Sequence, residues 1–164
     1  MATEALKSPA ITNATATPAV LNNASVTGGV MQCSAEVLEW TTGVTSGSTY
    51  RYFQVPSNAR VHALNLFSDA FTTTGAADIG LYDINGGAVV DADLFASAQV
   101  LTTALNGTDV THESAANPID NADEMIWQRL ALTSDPKKAY DVVMTSTATN
   151  GSAGTVALKI AYSV

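Results

Sequence analysis

The sequence predicts a mainly β protein, an antiparallel jelly-roll-like β-sandwich with one or two short helices and an extended N-terminal arm. Three observations carry that prediction. About eight short runs of β-branched, aromatic or alternating residues are separated by glycine and asparagine turns. Charged residues make up only 13% of the chain, and Thr, Ser, Asn and Ala take their place. That mixture suits strands and loops better than long surface helices, which draw on Glu, Lys and Arg. Finally, Gly75–Ala98 (GAADIGLYDINGGAVVDADLFASA) reads as a strand, a tight turn and a short helical turn, with no nucleophile, base or metal cluster attached.

At 164 residues the chain has the length of one domain. Residues 1–29 are low in complexity, carry only Glu4 and Lys7 as charges and contain no aromatic. Pro9 and Pro18 argue against a helix running across them. We expect an extended arm over residues 1–29 and a sandwich over 30–164. The arm is expected to lie on a surface, its own or a neighbour's, with Pro9, Ile11, Pro18 and Val20 as candidate contacts.

Within the body, Gln32–Trp40 reads as a strand with mixed faces, followed by a loop over Thr41–Ser48. Thr49–Val55 and Arg60–Phe67 flank the turn Pro56–Asn58 and are expected to form a hairpin. Asp78–Tyr82 alternates, with Ile79 and Leu81 on one face. Asn85-Gly86-Gly87 supplies positive-φ positions for a reversal, and Asp91 stands where the N-cap of a helical turn carrying Leu94 and Phe95 belongs. Short strands are expected near Gln99–Thr103 and Val110–Glu113, with a turn at Asn106-Gly107 between them. Asn117–Leu132 is the helix candidate. Asn121 with Glu124 resembles a capping box, Ile126, Trp127 and Leu130 form its apolar face, and Ser134-Asp135-Pro136 stops it. Ala139–Thr145 and Thr155–Val164 are clear strands.

Charge limits the partners. Seven Lys and Arg stand against fifteen Asp and Glu, a net charge of −8, and the cations are scattered. Nucleic-acid binding needs clustered cations, and an anionic membrane surface would repel the chain, so neither is expected as a partner. No run has transmembrane length or the character of a secretory leader. The single cysteine, Cys33, is expected to be a small buried hydrophobe. Asn-x-Ser/Thr sequons fall at Asn13, Asn23, Asn106 and Asn150, as expected by chance in such a composition.

Every constellation tested for chemistry falls short, so no catalytic, cofactor-binding or metal site is expected. His62 lies mid-strand, and His112-Glu113 is a solvated pair by its setting; neither has the company a metal needs. Ser134-x-x-Lys137 places Pro136 inside the motif, which turns the chain instead of setting both side chains on one helical face. Asp83, Asn85, Asp91 and Asp93 could gather oxygen ligands for Ca²⁺, but Ala88 and Leu94 stand where a helix-loop-helix calcium loop needs Gly and Glu. Trp40, at a strand end before a glycine loop, is a candidate stacking platform for a sugar. With Thr41 and Val44 it is also a candidate protein contact.

The succession of VPSNARV (Val55–Val61), Gly75–Ala98, and NADEMIWQRLALTSDPKK (Asn121–Lys138) before Tyr140-Asp141-Val142-Val143 resembles tailed-bacteriophage head decoration, or cement, proteins. The resemblance runs from about Tyr50 to the C-terminus and omits the arm. It implies a jelly-roll-like sandwich at high copy number on the capsid exterior, made in the bacterial host cytoplasm. It also implies the major capsid protein as partner, and it brings no catalytic residues. A homo-oligomer, dimer or trimer, is expected. The alternative from another class is a carbohydrate- or receptor-binding module of a head fibre or tail, motivated by Trp40 and Tyr50–Phe53. A β-sandwich hydrolase or cupin is disfavoured by the missing metal and triad residues.

Overall fold

The computed structural model describes residues 6–22, 29–72 and 74–164. Glu4 of the arm and the Asn23 sequon lie outside them. Eight strands form the body: β1 (Met31–Trp40), β2 (Thr49–Pro56), β3 (Arg60–Ser68), β4 (Ala76–Asp83), β5 (Val89–Val100), β6 (Leu105–Asp109), β7 (Ala139–Ser146) and β8 (Gly154–Ser163). They make two four-stranded sheets, ordered β1-β8-β3-β6 and β2-β7-β4-β5, and every pairing is antiparallel. The turn-punctuated strands predict a jelly-roll-like sandwich, and the structure supplies its strand order.

The alternation read from the sequence builds the core. Leu64 and Leu66 of β3, Ile79 and Leu81 of β4, Val142 and Met144 of β7, and Val156, Leu158 and Ile160 of β8 are fully buried in one cluster. Each contributes about 1.5–3 kcal/mol by leaving water. β2 and β3 do not form a hairpin. β2 pairs with β7 and β3 with β8, so the turn at Pro56–Asn58 carries the chain from one sheet to the other. Ala59, at 0% exposed, is small enough to pass through the core edge there.

The reversal after β4 uses Asn85 (φ 58°) and Gly86 (φ 74°), as the sequence predicts. The helical turn behind it does not exist. Residues 89–100 are one strand, and Asp91 caps no helix. The pairing of β4 with β5 shifts register three times, so Leu94, Phe95 and Ala96 are all buried in succession. Bulges therefore imitate the spacing of an apolar helical face. Gly80 permits this: a Cβ there would lie 2.1 Å from the Asp91 carbonyl oxygen and 2.4 Å from the Ala92 carbonyl carbon.

Two smaller expectations also change. Asn106-Gly107 is inside β6, and Gly107 (φ 80°) sits where the pairing with β3 shifts register, so the glycine makes a bulge in place of a turn. The separate strand expected near Gln99–Thr103 is the end of β5, which stops at Val100, and Val110–Glu113 follows β6 without being a strand.

The helix expected over Asn117–Leu132 shrinks to one 3-10 turn, Ile119–Asn121, and one turn of α-helix, α2 (Ile126–Arg129). The cause is tertiary. The amides of Ile126 and Trp127 donate to the carbonyls of Ala59 and Ser57 at 2.9 and 3.0 Å. These donors are those of a helix start, so the turn begins at Ile126. Gln128, not Glu124, reaches back to cap it, accepting from the Met125 amide at 2.9 Å. Before the body, a seven-residue helix, α1 (Pro9–Thr15), interrupts the expected extended arm. It starts on Pro9 and ends before Pro18, with Ser8 accepting from the Ile11 amide at 3.3 Å as N-cap. Proline is tolerated in that first position because its missing N–H has no helical partner.

Candidate interaction surface

β1 is seated at one end only. Its inward-facing positions run Trp40, Leu38, Glu36, Ser34, Gln32, apolar at first and then polar. Trp40 is 1% exposed, stacked on Tyr50 with ring centroids 4.1 Å apart and planes 9° apart, and tilted against Phe71. Leu38 is half-buried, and residues 31–37 are exposed on both faces. Trp40 is thus a core residue and not an exposed stacking platform. The reason is its company, since Tyr50 and Phe71 close over it from outside its own strand. Burial beside Trp40 also raises the hydroxyl pKa of Tyr52, by desolvation first.

The outward-facing positions of β1 are Met31, Cys33, Ala35, Val37 and Glu39. Cys33 is exposed, not buried, because it points away from the sandwich. Register places Val37 beside Ala157 and Phe67, Ala35 beside Lys159 and Asn65, and Cys33 beside Ala161 and Ala63. The outer face of this sheet is therefore two rows of small or apolar side chains flanking one polar row. β1 is also an edge strand, and its ladder to β8 covers all ten residues with no register shift.

The other sheet presents a tied, polar face. Arg51 reaches from β2 to the Asp141 carboxylate at 2.6 Å and donates to the carbonyls of Asp83 and Gly87, both at 3.0 Å. The Lys138 ammonium meets Asp83 at 2.6 Å, and that hydrogen bond raises the lysine pKa. The Tyr82 hydroxyl bonds Thr145 at 2.8 Å.

The loop after Trp40 holds the remaining candidate contacts. Thr41 is exposed, but Val44 is 8% exposed and belongs to the interior. Asn150 pins this loop: its backbone bonds Gly43 and Val44, and its amide side chain donates to the Thr41 carbonyl at 3.0 Å. Sequence reading saw in Asn150 only a sequon within a polar link. At 2% exposed, it is closed to a glycan in the folded chain. The arm's Pro9, Ile11, Pro18 and Val20 are all exposed. The arm folds back on itself through Asn13 and Asn22, whose side chains bond at 2.8 Å, and a groove of about 380 Å³ separates it from Arg60 and Asp123.

Chemistry-bearing side chains are dispersed. Among the described residues, no three of His, Cys, Asp and Glu gather to hold a metal. His112 bonds the Asn117 carbonyl at 3.1 Å, and Glu113 accepts from the Ser97 amide at 2.8 Å, so each ties down a loop and they are not a solvated pair. His62 bonds Ser163 at 2.9 Å. Asp135 takes a hydrogen bond from Ser57 and one from the Lys137 amide, and these lower its pKa. A groove of about 590 Å³ is lined by Val90, Leu130, Leu132, Pro136 and Tyr140 together with the charged Asp91, Arg129 and Lys138. Its walls carry no serine, cysteine or histidine. No helix among the described residues is long and apolar enough to cross a membrane.

No protein-family model matches the chain, and no curated protein sequence does. Its fold does have counterparts. It is shared with chains of two phage capsids. A chain from the cyanophage Pam1 capsid asymmetric unit superposes with a TM-score of 0.51 at 16% identity, covering 83% of this chain and 86% of that one. A chain from the capsid of Ralstonia phage GP4 does so with a TM-score of 0.53, again at 16% identity, covering 80% and 84%.

Proposed function

We propose that this chain is a structural, non-enzymatic component of a phage virion that binds the outside of the capsid and cements neighbouring major capsid subunits. The observation that carries the reading is the fold shared, over about four-fifths of the chain, with chains of two phage capsids. The sequence resemblance to decoration proteins gives the role within the particle. The net charge of −8 favours the exterior over contact with packaged DNA. Residues 1–29 act as an arm on the 30–164 body, with Pro9, Ile11, Pro18, Val20 and Thr41 among its contacts on the shell.

The mechanism is mechanical. Each copy straddles capsid subunits, and contacts of ordinary size, about 800 Å² per partner, resist their separation. Linked copies grip several shell sites at once and gain avidity without new contacts. Burial of Trp40, Tyr52 and Phe53 counts against the glycan-binding alternative that Trp40 and Tyr50–Phe53 motivate. The test is cosedimentation of the purified chain with expanded, undecorated shells. Binding that raises the melting temperature of the shell supports the role, and deletion of residues 1–28 should weaken binding while the sandwich stays folded. A chain that leaves shells unbound refutes it, as would selective hits on a glycan array lost in Trp40→Ala protein that still folds.

A further inference from the structure

We propose that β1 is a dimerisation edge: two copies pair β1 antiparallel about a two-fold axis at Ser34, joining their four-stranded sheets into one continuous sheet of eight strands. The inference goes beyond the capsid role and does not depend on it.

Among the described residues, no strand pairs with the free side of β1. Exposed strands are commonly blunted by proline, lysine, a bulge or a covering loop. β1 has neither proline nor lysine and no register shift along its ten residues, and its two charges are Glu39 near one end and the inward-facing Glu36, which needs a polar partner on any strand added here. Among the described residues, only the β8 ladder holds residues 31–37, which are exposed on both faces, Met31 and Val37 at about 60%. A strand so placed offers a full row of backbone donors and acceptors.

Side-chain complementarity selects the occupant. A two-fold axis perpendicular to the sheet keeps each face on its own side, so paired residues must share a face. With the axis at Ser34, Met31 faces the partner's Val37, Cys33 faces the partner's Ala35, and Glu36 faces the partner's Gln32. Apolar meets apolar on the outer face, and a carboxylate meets an amide on the inner one. The Gln32 oxygen already accepts from the Tyr162 hydroxyl at 2.7 Å, which turns its NH₂ group into the free donor for that carboxylate. One step along the same face, the match fails. An axis at Ala35 sets Glu39 against Met31 and Leu38 against Gln32, and an axis at Cys33 sets Glu36 against Val30. Of these three registers, the one centred on Ser34 matches β1 to itself in charge and polarity.

Sedimentation of the full chain tests the pairing, and the expected mass is twice the 16.9 kDa of one copy. The double variant C33E/A35E sets carboxylates against each other across the axis. Both positions are exposed, so it should keep the native circular dichroism and sediment as one copy. In a Cys33→Ser background, Ser34→Cys should form a disulfide-linked dimer on mild oxidation, because residues on the axis lie within disulfide reach. Ala35→Cys in the same background lies diagonally from its mate and should not. A monomer, a trimer, a dimer that survives C33E/A35E, or equal cross-linking at positions 34 and 35 overturns the proposal. A monomer that binds shells and loses that binding in C33E/A35E would assign the edge to the shell protein and refute the second copy as occupant, while leaving the capsid role intact.

Discussion

Arg51 of β2 and Asp141 of β7 meet at 2.6 Å, and their burial is unequal: the arginine side chain is 28% exposed and the aspartate 7%. Either deletion leaves the other charge behind, but Asp141 is left in the drier place. Arg51→Ala should therefore destabilise more than Asp141→Ala, by about 2–4 kcal/mol against about 1–2. Urea unfolding of both variants checks the order. Equal losses would mean that neither the drier setting of Asp141 nor the contacts of Arg51 with the Asp83 and Gly87 carbonyls add to the effect of breaking the ion pair.

Trp40→Ala should cost about 3–5 kcal/mol, because it empties a site closed by Tyr50 and Phe71. Thermal unfolding gives the measure. A variant as stable as the parent would show that the indole is not part of the core.

Gly80→Ala should be among the most damaging single-methyl additions. Its Cβ would fall on the β5 backbone, 2.1 Å from the Asp91 carbonyl oxygen, so the bulged strand must move. A loss of about 3 kcal/mol or more is expected. Ala at Gly86, where nothing lies within 4 Å, meets only the strain of a positive φ of 74°. It should cost about 1 kcal/mol.

Acid should weaken the fold partly through His62. Partial desolvation of the exposed His62 ring, and then the nearby charges of Arg60 and Arg129, hold its pKa below the ordinary value. The folded chain resists the proton more than the unfolded one does. This contribution is therefore complete above about pH 6.5, falls as pH drops through that value, and levels once the folded form is protonated too. His62→Gln should flatten the stability profile below about pH 6.5. An unchanged slope would exclude His62 as a source.

The strands that were legible are those whose alternation meets a simple pleat. Ile79 and Leu81, or Val156, Leu158 and Ile160, occupy the core as their spacing demands. β5 was not legible, because its period is broken by bulges that exist only against β4. The helix expected over Asn117–Leu132 failed for a similar reason: carbonyls some seventy residues upstream, at Ser57 and Ala59, take the amides that start α2. The candidate surface was half legible. The arm's Pro9, Ile11, Pro18 and Val20 are exposed, whereas Trp40 and Val44 are interior. The open edge of β1 gave no signal, since the same residues would read alike beside a covering strand.

Local sequence determined the reversal at Asn85-Gly86, which strands alternate and that charge is sparse, because those properties depend on neighbours a few residues away. Only the tertiary structure decided that β2 and β3 belong to opposite sheets, that Trp40 turns inward, and that β1 runs out past the sandwich with one side unpaired. Each depends on which distant strand lies alongside, and backbone hydrogen bonding between strands carries almost no residue identity.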